Sequence, residues 1–187
     1  MKTILQVEDD PNDVFLLKHA MNKVGLTNPV QIATDGQEAI DYLDGKGRFA
    51  DRARFPYPGL VLLDLKLPFV MGLEVLRWIR KQPGTVLPVV ILTASAEGAD
   101  IATAYGLGAN GFLTKPSEVR KLEEMVKAIR DFWLTHNLLP QTSASETRTG
   151  AVADCVCSRV EGFAANSRPA VNGKCRDEWP YNVEVIS

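Results

Sequence analysis

The sequence predicts an α/β protein whose five-stranded parallel sheet is doubly wound, with helices on both faces. Short apolar runs alternate with amphipathic helical patterns over the first 136 residues. The third run, Leu60–Leu63, is apolar without alternation, as expected for a strand buried on both faces. Polar residues collect directly after the apolar runs rather than within them. Alternation of strands and helices in this order is typical of doubly wound sheets.

The first strand is predicted at Thr3–Val7, and the helix after it begins at Pro11. Asp10 stands where an N-cap residue would accept hydrogen bonds from the first turn of that helix. Gly25 ends the helix, since glycine readily adopts the left-handed conformation found there. A weak second strand is predicted at Val30–Thr34.

The remaining elements follow from the same periodicities. In chain order they are a short helix around Ala39–Leu43, a strand at Leu60–Leu63, a helix at Gly72–Lys81, a strand at Val89–Leu92, a helix at Ala99–Leu107, a strand at Gly111–Leu113 and a long helix from Ser117 to about His136. Residues 45–58 carry glycines, prolines and basic residues without periodicity, which predicts an irregular loop.

Composition and charge exclude several classes of function. The chain is 45% hydrophobic and 24% charged, with a net charge of -2, so it has no general attraction for nucleic acid or anionic membranes. No apolar run approaches the roughly 20 residues of a membrane-spanning helix, and the acidic start is unlike a signal peptide. We therefore expect a cytoplasmic protein with no DNA-binding or membrane segment.

The periodic pattern stops near Pro140. We expect a domain at residues 1–140 and a low-complexity, disordered extension at 141–187, which is rich in Ser, Thr, Ala, Gly and Asn. The three cysteines, Cys155, Cys157 and Cys175, all lie in this extension. Three thiols cannot close a disulfide framework, and their spacing is not that of a zinc site. The interpretation is a tail with reduced thiols.

Polar residues follow four of the five predicted strands. In chain order they are Glu8, Asp9, Asp10, Asp64, Thr93 and Lys115. The carboxyl ends of parallel strands share one edge of the sheet, where doubly wound sheets bind ligands. Clustered carboxylates favour a cation, and oxygen ligands suit Mg²⁺. Asp64 could then act as a nucleophile towards a phosphoryl group, with Mg²⁺ and Lys115 neutralising the developing charge.

The segments VEDD, LLDLKLP with a following glycine, ILTAS and FLTKP resemble the signature of response-regulator receiver domains of two-component signalling. The resemblance covers about residues 3–136 and implies the flavodoxin-like receiver fold. It implies that Asp64 is the phospho-acceptor. It also implies that Mg²⁺ is held by the acidic pair Asp9 and Asp10, by Asp64 and by the backbone carbonyl of Lys66.

The same resemblance assigns roles to the later strand ends. Thr93 would be the switch hydroxyl and Phe112 the switch aromatic residue. Thr93, Ala94 and Lys115 would contact the phosphoryl group, with the small Ala94 leaving the site open to phospho-donors. The peptide bond between Lys115 and Pro116 would be cis, a form that proline permits.

A narrower resemblance concerns the partner. Residues 45–58, LVLLDLKLP and FWLTHNLLP are similar to the subgroup of receivers that partner bacterial and cyanobacterial phytochrome kinases. This implies a sensor histidine kinase as phospho-donor and a homodimer through the fourth helix, fifth strand and fifth helix, with Ile101 and Tyr105 on that face. The downstream protein target is not indicated. We expect a single-domain regulator that gains and loses its own phosphoryl group, not a dedicated enzyme.

Three other interpretations concern particular segments or the chain as a whole. Residues 106–111, GLGANG, fit a G-x-G-x-x-G pattern, but a dinucleotide-binding motif follows a strand and opens a helix, whereas this segment precedes a strand. A phosphatase of the haloacid dehalogenase type needs a second acid two residues after its nucleophile, where this chain has Lys66. A receiver-like docking module that works without phosphorylation stays open as the alternative.

One position departs from the family pattern. Receivers usually have an acid before the glycine that opens the third helix, and here that residue is Met71, beside the apolar Phe69 and Val70. Two interpretations stay open for this short patch: neutral variation, or a docking surface for the kinase or target.

Overall fold

The computed structural model describes residues 1–94 and 97–139. Its five strands form one parallel sheet in the order β2-β1-β3-β4-β5, which is the flavodoxin-like order. The strands are β1 Ile4–Val7, β2 Val30–Ala33, β3 Leu60–Leu63, β4 Val89–Thr93 and β5 Gly111–Thr114. The predicted fold is confirmed. The extension predicted at 141–187, with its three cysteines, lies outside the described residues.

Five α-helices follow the strands. They are α1 Pro11–Lys23, α2 Gly36–Asp44, α3 Gly72–Lys81, α4 Gly98–Gly106 and α5 Val119–Ile129. A short 3₁₀ turn covers Gly47–Phe49 after α2, and a π-helical segment covers Arg130–His136 after α5. In the part of the chain that the structure describes, no helix has both the length and the apolar character needed to cross a membrane.

The end of α5 differs from the single long helix that the sequence predicts. The backbone amide of Asn137 donates to the carbonyl of Phe132 at 2.7 Å, a five-residue step that widens the helix. The ammonium of Lys2 donates to the carbonyls of Trp133 at 3.2 Å and Asn137 at 2.7 Å. The amino-terminal strand region therefore anchors this segment, a contact that local periodicity cannot indicate.

Two apolar layers enclose the sheet. Alternate strand residues point to opposite faces, so each central strand contributes to both layers. The layer under α2, α3 and α4 includes Leu5, Val7, Val61, Leu63 and Ile91. The layer under α1 and α5 includes Ile4, Leu60, Leu62, Val90 and Leu92. Burial on both sides explains why β3 and β4 are continuous apolar runs, and in these two strands a polar side chain occurs only at the end of β4.

Segment 45–58 forms the predicted irregular loop, with one 3₁₀ turn at Gly47–Phe49, and it packs against α2. Tyr42 of α2 is fully buried, with its ring centroid 5.2 Å from that of Phe49 and 6.2 Å from that of Phe55. Its hydroxyl donates to the carbonyl of Pro56 at 2.6 Å. Phe49 and Phe55 of this segment therefore pack with Tyr42 as an aromatic extension of the core under α2.

Arg52 ties the same segment to the carboxyl end of α2. Its guanidinium donates to the carbonyls of Tyr42 and Leu43, both at 2.8 Å, and to that of Phe55 at 3.3 Å. The last carbonyls of a helix lack partners within the helix. A positive charge there also interacts favourably with the helix dipole.

We expect Arg52→Met to lower the free energy of unfolding by about 2 kcal/mol, because a charged donor to buried carbonyls is lost while most of the side-chain volume is kept. Chemical denaturation measures the change. Arg54→Met is the matched control, since Arg54 is exposed and its guanidinium only covers the ring of Phe55. Equal losses in the two variants would contradict this role of Arg52.

Candidate functional site

The strand ends that carry the predicted site are level with one another. The backbone amide of Glu8 donates to the carbonyl of Ala33 at 2.9 Å, and that of Asp64 donates to the carbonyl of Val7 at 3.1 Å. The hydrogen-bond ladder thus continues one residue beyond β1 and β3 as the structure bounds them. The polar residues that follow the apolar strands are held by the sheet itself.

Lys115 is the centre of the site. Its ammonium donates to a carboxylate oxygen of Glu8, to Asp13 at 2.8 Å and to Asp64 at 2.7 Å. An ammonium has three donors, so all three are used. The side chain of Lys115 is only 13% exposed, which shields these bonds from solvent. Lys115 therefore joins β1, α1, β3 and the end of β5.

Asp13 belongs to this cluster, and the sequence analysis did not single it out. It lies in the first turn of α1, three residues after the helix cap. Its only sequence signal is that position, because the first turn of a helix that follows a site strand points back towards the site. That signal is weak, since acids are common in first turns for their favourable interaction with the helix dipole.

The pKa values of the cluster reflect a balance of burial and charge. Burial alone would lower the pKa of Lys115, but its hydrogen bonds to Asp13, Asp64 and Glu8 outweigh burial and raise it. Burial raises the pKa of Glu8, the bond from Lys115 opposes this, and the charge of Asp64 adds to the rise. Lys115 thus stays charged, and Glu8 takes up a proton at a higher pH than an ordinary glutamate.

A candidate cation group consists of Glu8, Asp9 and Asp64. One carboxylate oxygen from each residue lies within 4.8 Å of the others. Glu8 and Asp64 are buried and Asp9 is exposed, so the group opens to solvent on one side. A set of carboxylate oxygens with an open side fits Mg²⁺, which usually keeps several water ligands.

Asp10 does not join that group, whose members are Glu8, Asp9 and Asp64, so the geometry favours Glu8 over the predicted Asp10 as a ligand. One Asp10 oxygen accepts hydrogen bonds from the backbone amide of Asn12 at 2.8 Å and from its side chain at 3.0 Å. Pro11 begins α1 immediately afterwards, which turns Asp10 towards the helix end. The residue is the N-cap that the sequence also predicted.

Asp64 is held at both carboxylate oxygens. One accepts from Lys115, and the other accepts from the backbone amide of Lys66 at 3.2 Å. Asp64 as a whole is only 7% exposed. The predicted role of the Lys66 carbonyl as a metal ligand stays a prediction. The side chain of Lys66 is exposed. As a lysine it cannot serve as the second acid that a phosphatase of the haloacid dehalogenase type needs at this position.

Thr93 ends β4, Ala94 follows it directly, and Phe112 lies within β5. Thr93 is buried at the end of β4, and Ala94 is exposed directly after it. Phe112 pairs in register with Ile91 and packs, half buried, against the layer under α2, α3 and α4. Their contacts with a phosphoryl group and their movement on phosphorylation stay predictions.

The peptide bond between Lys115 and Pro116 is trans, because the residues that the structure describes contain no cis peptide bond. The expected cis form is therefore wrong for this structure. The trans form is favoured by about 0.5–1 kcal/mol before proline. The Lys115 ammonium reaches its three carboxylates with this bond trans.

Two glycines fix the loop between β3 and α3. A Cβ atom on Gly72 would lie 2.0 Å from the carbonyl oxygen of Asp64, and one on Gly36 would lie 2.0 Å from that of Val70. Only glycine allows such approaches. Phe69 stands on this fixed backbone with a positive φ of 62° and is 89% exposed.

Met71 occupies the N-cap position of α3 without capping it through its side chain. The carboxylate of Glu74 nevertheless accepts from the backbone amide of Met71 at 3.1 Å. This bond is one half of a capping box, so α3 retains part of the stabilisation that an acid at position 71 would give.

The glycine-rich segment 106–111 is structural. It links the end of α4 to the start of β5, as its position in the sequence indicated. Arg80 of α3 donates to the carbonyl of Gly108 at 2.9 Å and to the side chain of Asn110 at 2.7 Å. These bonds hold α3 against the loop, and they account for the segment without a nucleotide.

We expect Lys115→Met to lower the free energy of unfolding at pH 7 by about 3 kcal/mol, because removing one partner leaves the buried carboxylates without a cation. The pKa of Glu8 should rise further in the variant. A folded state with a raised acid pKa binds protons more tightly than the unfolded chain, so the variant's stability should fall as pH rises above about 5. Thermal unfolding at several pH values measures this. A loss that is the same at all pH values would contradict the electrostatic cause.

Comparison with known proteins agrees with this geometry. The model of the response regulator receiver domain family matches residues 4–127. The "Probable methanogenesis regulatory protein FilR2" of Methanothrix harundinacea is 37% identical over 141 residues, covering 73% of this chain and 86% of the relative. Response regulator Rcp1 of Synechocystis is 36% identical over 140 residues, covering 74% and 93%.

Solved structures agree as well. The phosphorylated cyanobacterial phytochrome response regulator RcpA has a TM-score of 0.69 and 37% identity, covering 74% of this chain and 98% of that one. The Mn²⁺-bound form of Rcp1 has a TM-score of 0.67 and 36% identity, covering 75% and 99%. The chain therefore belongs to the family of response regulator receiver domains.

Proposed function

We propose that the protein is a single-domain response regulator that accepts a phosphoryl group on Asp64 from a sensor histidine kinase. In this reaction a carboxylate oxygen of Asp64 forms a bond to phosphorus as the bond from phosphorus to the histidine nitrogen breaks, and that nitrogen keeps the electron pair. Water later hydrolyses the acyl phosphate. The protein is thus a phospho-acceptor that loses its own phosphate, not a dedicated enzyme.

The observation that carries the proposal is the surroundings of Asp64. A buried carboxylate at the end of an apolar strand is unfavourable unless it is paired. Here Lys115 pairs with it, and two further acids, Glu8 and Asp9, stand within reach of a shared cation. A nucleophile, a fixed positive charge and a cation group are what phosphoryl transfer to a carboxylate requires.

Mg²⁺ is the proposed cofactor, held by Glu8, Asp9 and Asp64. Their oxygen donors fit a hard divalent cation, and the similar protein Rcp1 has a structure with Mn²⁺ bound. When bound, the cation would neutralise charge on the transferring phosphoryl group. Lys115 remains beside Asp64 as the protein's own positive charge. A charge-assisted bond from Thr93 to the new phosphate would accompany the proposed switch with Phe112.

The proposed partner is a kinase of the phytochrome type, supported by the similarity to RcpA. The methanogenesis regulatory protein FilR2 is equally similar in sequence. Sequence similarity therefore does not identify the signal, which is set by the partner kinase. A homodimer through α4, β5 and α5 is supported by exposed apolar residues on that side, since Tyr105 is 52% and Val119 is 48% exposed. We propose that the protein acts in the cytoplasm on a downstream protein.

We expect Asp64→Asn to abolish acid-labile phosphate incorporation from acetyl phosphate in the presence of Mg²⁺, because the amide is a far weaker nucleophile than the carboxylate. Incorporation is measured by the mass of the intact protein. Asp10→Asn is the control, since asparagine caps a helix as well as aspartate does and Asp10 lies outside the cation group. Incorporation that persists in Asp64→Asn would overturn the proposal. Loss of phosphate incorporation in both variants would mean that incorporation depends on the integrity of α1, and it would not identify Asp64 as the acceptor.

Glu8→Gln should weaken Mg²⁺ binding about tenfold, corresponding to about 1.4 kcal/mol, whereas Asp10→Asn should leave it unchanged. Calorimetric titration of Mg²⁺ measures both. The affinity of the unmodified protein should also decrease as the pH is lowered, because protons compete for Glu8, whose pKa is raised. Weaker Mg²⁺ binding in Asp10→Asn than in Glu8→Gln would show that Asp10, and not Glu8, is the metal ligand.

A further inference from the structure

Gln6 is a buried polar residue that the proposed function does not use. It lies in β1 between Ile32 of β2 and Leu62 of β3, and it is 2% exposed. Neither the nitrogen nor the oxygen of its amide has a hydrogen-bond partner within the protein. Burying an amide without a partner is unfavourable, and most such groups in folded proteins are satisfied by water when no protein atom is near.

The Gln6 side chain borders a small cavity of about 40 Å³ beneath Lys115. The polar part of its wall is made by Gln6, Glu8, Asp13 and Lys115, and leucines of α1, β4 and α5 make most of the rest. A cavity of this volume has room for up to about three water molecules, and it is too small for an organic ligand. Leu16, on its outer side, is 41% exposed, so water can enter.

We propose that this cavity is a hydration site in which water bridges the amide of Gln6 to the carboxylates of Glu8 and Asp13. All three donors of Lys115 are already used by Glu8, Asp13 and Asp64, so Lys115 cannot satisfy Gln6. A carboxylate has about four acceptor positions, so Glu8 and Asp13 can accept further bonds. A buried water needs two to four polar partners, and this wall supplies them.

The bridge makes Gln6 a positioning residue for the cluster. Glu8 follows β1 and Asp13 lies in α1, and both accept hydrogen bonds from Lys115 together with Asp64. Water between them and Gln6 connects the strand, the helix and the lysine. This hydration site does not depend on phosphorylation, because it rests on Gln6, the cavity and the ion cluster alone.

Nuclear magnetic resonance of the unmodified protein tests the water directly. We expect cross-relaxation between the side-chain amide protons of Gln6 and water that resides in the cavity for longer than a nanosecond. Absence of this signal, with the Gln6 amide protons assigned, would overturn the proposal whatever the variants show.

A double-mutant cycle tests the bridge to Asp13. Gln6 and Asp13 make no direct hydrogen bond, so Gln6→Met and Asp13→Asn should act independently if the cavity is dry. With a water bridge we expect their effects on the unfolding equilibrium constant to differ from additivity by at least fivefold. The control cycle pairs Gln6→Met with Asp10→Asn, which lies at the same end of α1 but outside the cavity wall, and it should be additive.

The ammonium of Lys115 provides a readout that packing alone would not change. In Gln6→Met we expect its protons to exchange with solvent several times faster, because the water that helps to fix Glu8 and Asp13 is lost. Unchanged exchange together with an additive cycle would show that Gln6 does not position the cluster. A Gln6→Met variant that is more stable than the unmodified protein would likewise show that the amide is unsatisfied and the cavity dry.

Discussion

The pairing of Lys115 with three carboxylates is the interaction on which the site depends. Each partner comes from a different element: Glu8 follows β1, Asp13 lies in α1, and Asp64 follows β3. Three acids so close together would repel one another. The lysine supplies the opposing charge from within the chain. The cluster is therefore held in place by groups of the protein, and the carboxylate of Asp64 is oriented by them.

The apolar sheet makes that pairing geometrically possible. The central strands are buried on both faces, so a polar side chain is tolerated only at their ends, and parallel strands of similar length end along one edge. The backbone ladder extends to Glu8 and Asp64, which removes freedom from the residues that matter most. Gln6, two residues before Glu8, is the exception inside the central strands β1, β3 and β4, and the cavity beside it shows where polarity reaches into the core.

The sequence predicted those features that arise from repeated patterns. Five strands, their polar ends, Asp64 and Lys115 all follow from apolar runs and from the geometry of parallel sheets. Features that depend on how two elements approach each other were missed or misassigned. Asp13 reaches Lys115 only because of the angle at which α1 leaves β1. The sequence predicted that α1 begins at Pro11 with Asp10 as its cap, but only the structure shows that Glu8, and not Asp10, lies within reach of Asp9 and Asp64.

Segment 45–58 is a second case in which contacts between elements could not be predicted from sequence periodicity. Its sequence contains glycines and prolines, yet it packs aromatic residues against Tyr42. These contacts, and those of Arg52, are made between turns and a helix, so they follow no regular spacing in the sequence. Gln6 was likewise passed over, since one amide in a four-residue strand does not alter an apolar pattern. Periodicity reports which face of an element is buried. It does not report the individual polar contacts that decide which charge is neutralised.

The two close contacts at Gly36 and Gly72 separate what can vary from what cannot. They lock the backbone of the loop after Asp64 against α2 and α3, while the side chains of Phe69 and Met71 point away from these contacts into solvent. Substitutions at positions 69 and 71 that keep this backbone conformation would therefore leave the carboxylate of Asp64 in place. The immediate surroundings of Asp64 thus combine a backbone fixed by two close glycine contacts with exposed side chains that a binding partner can reach.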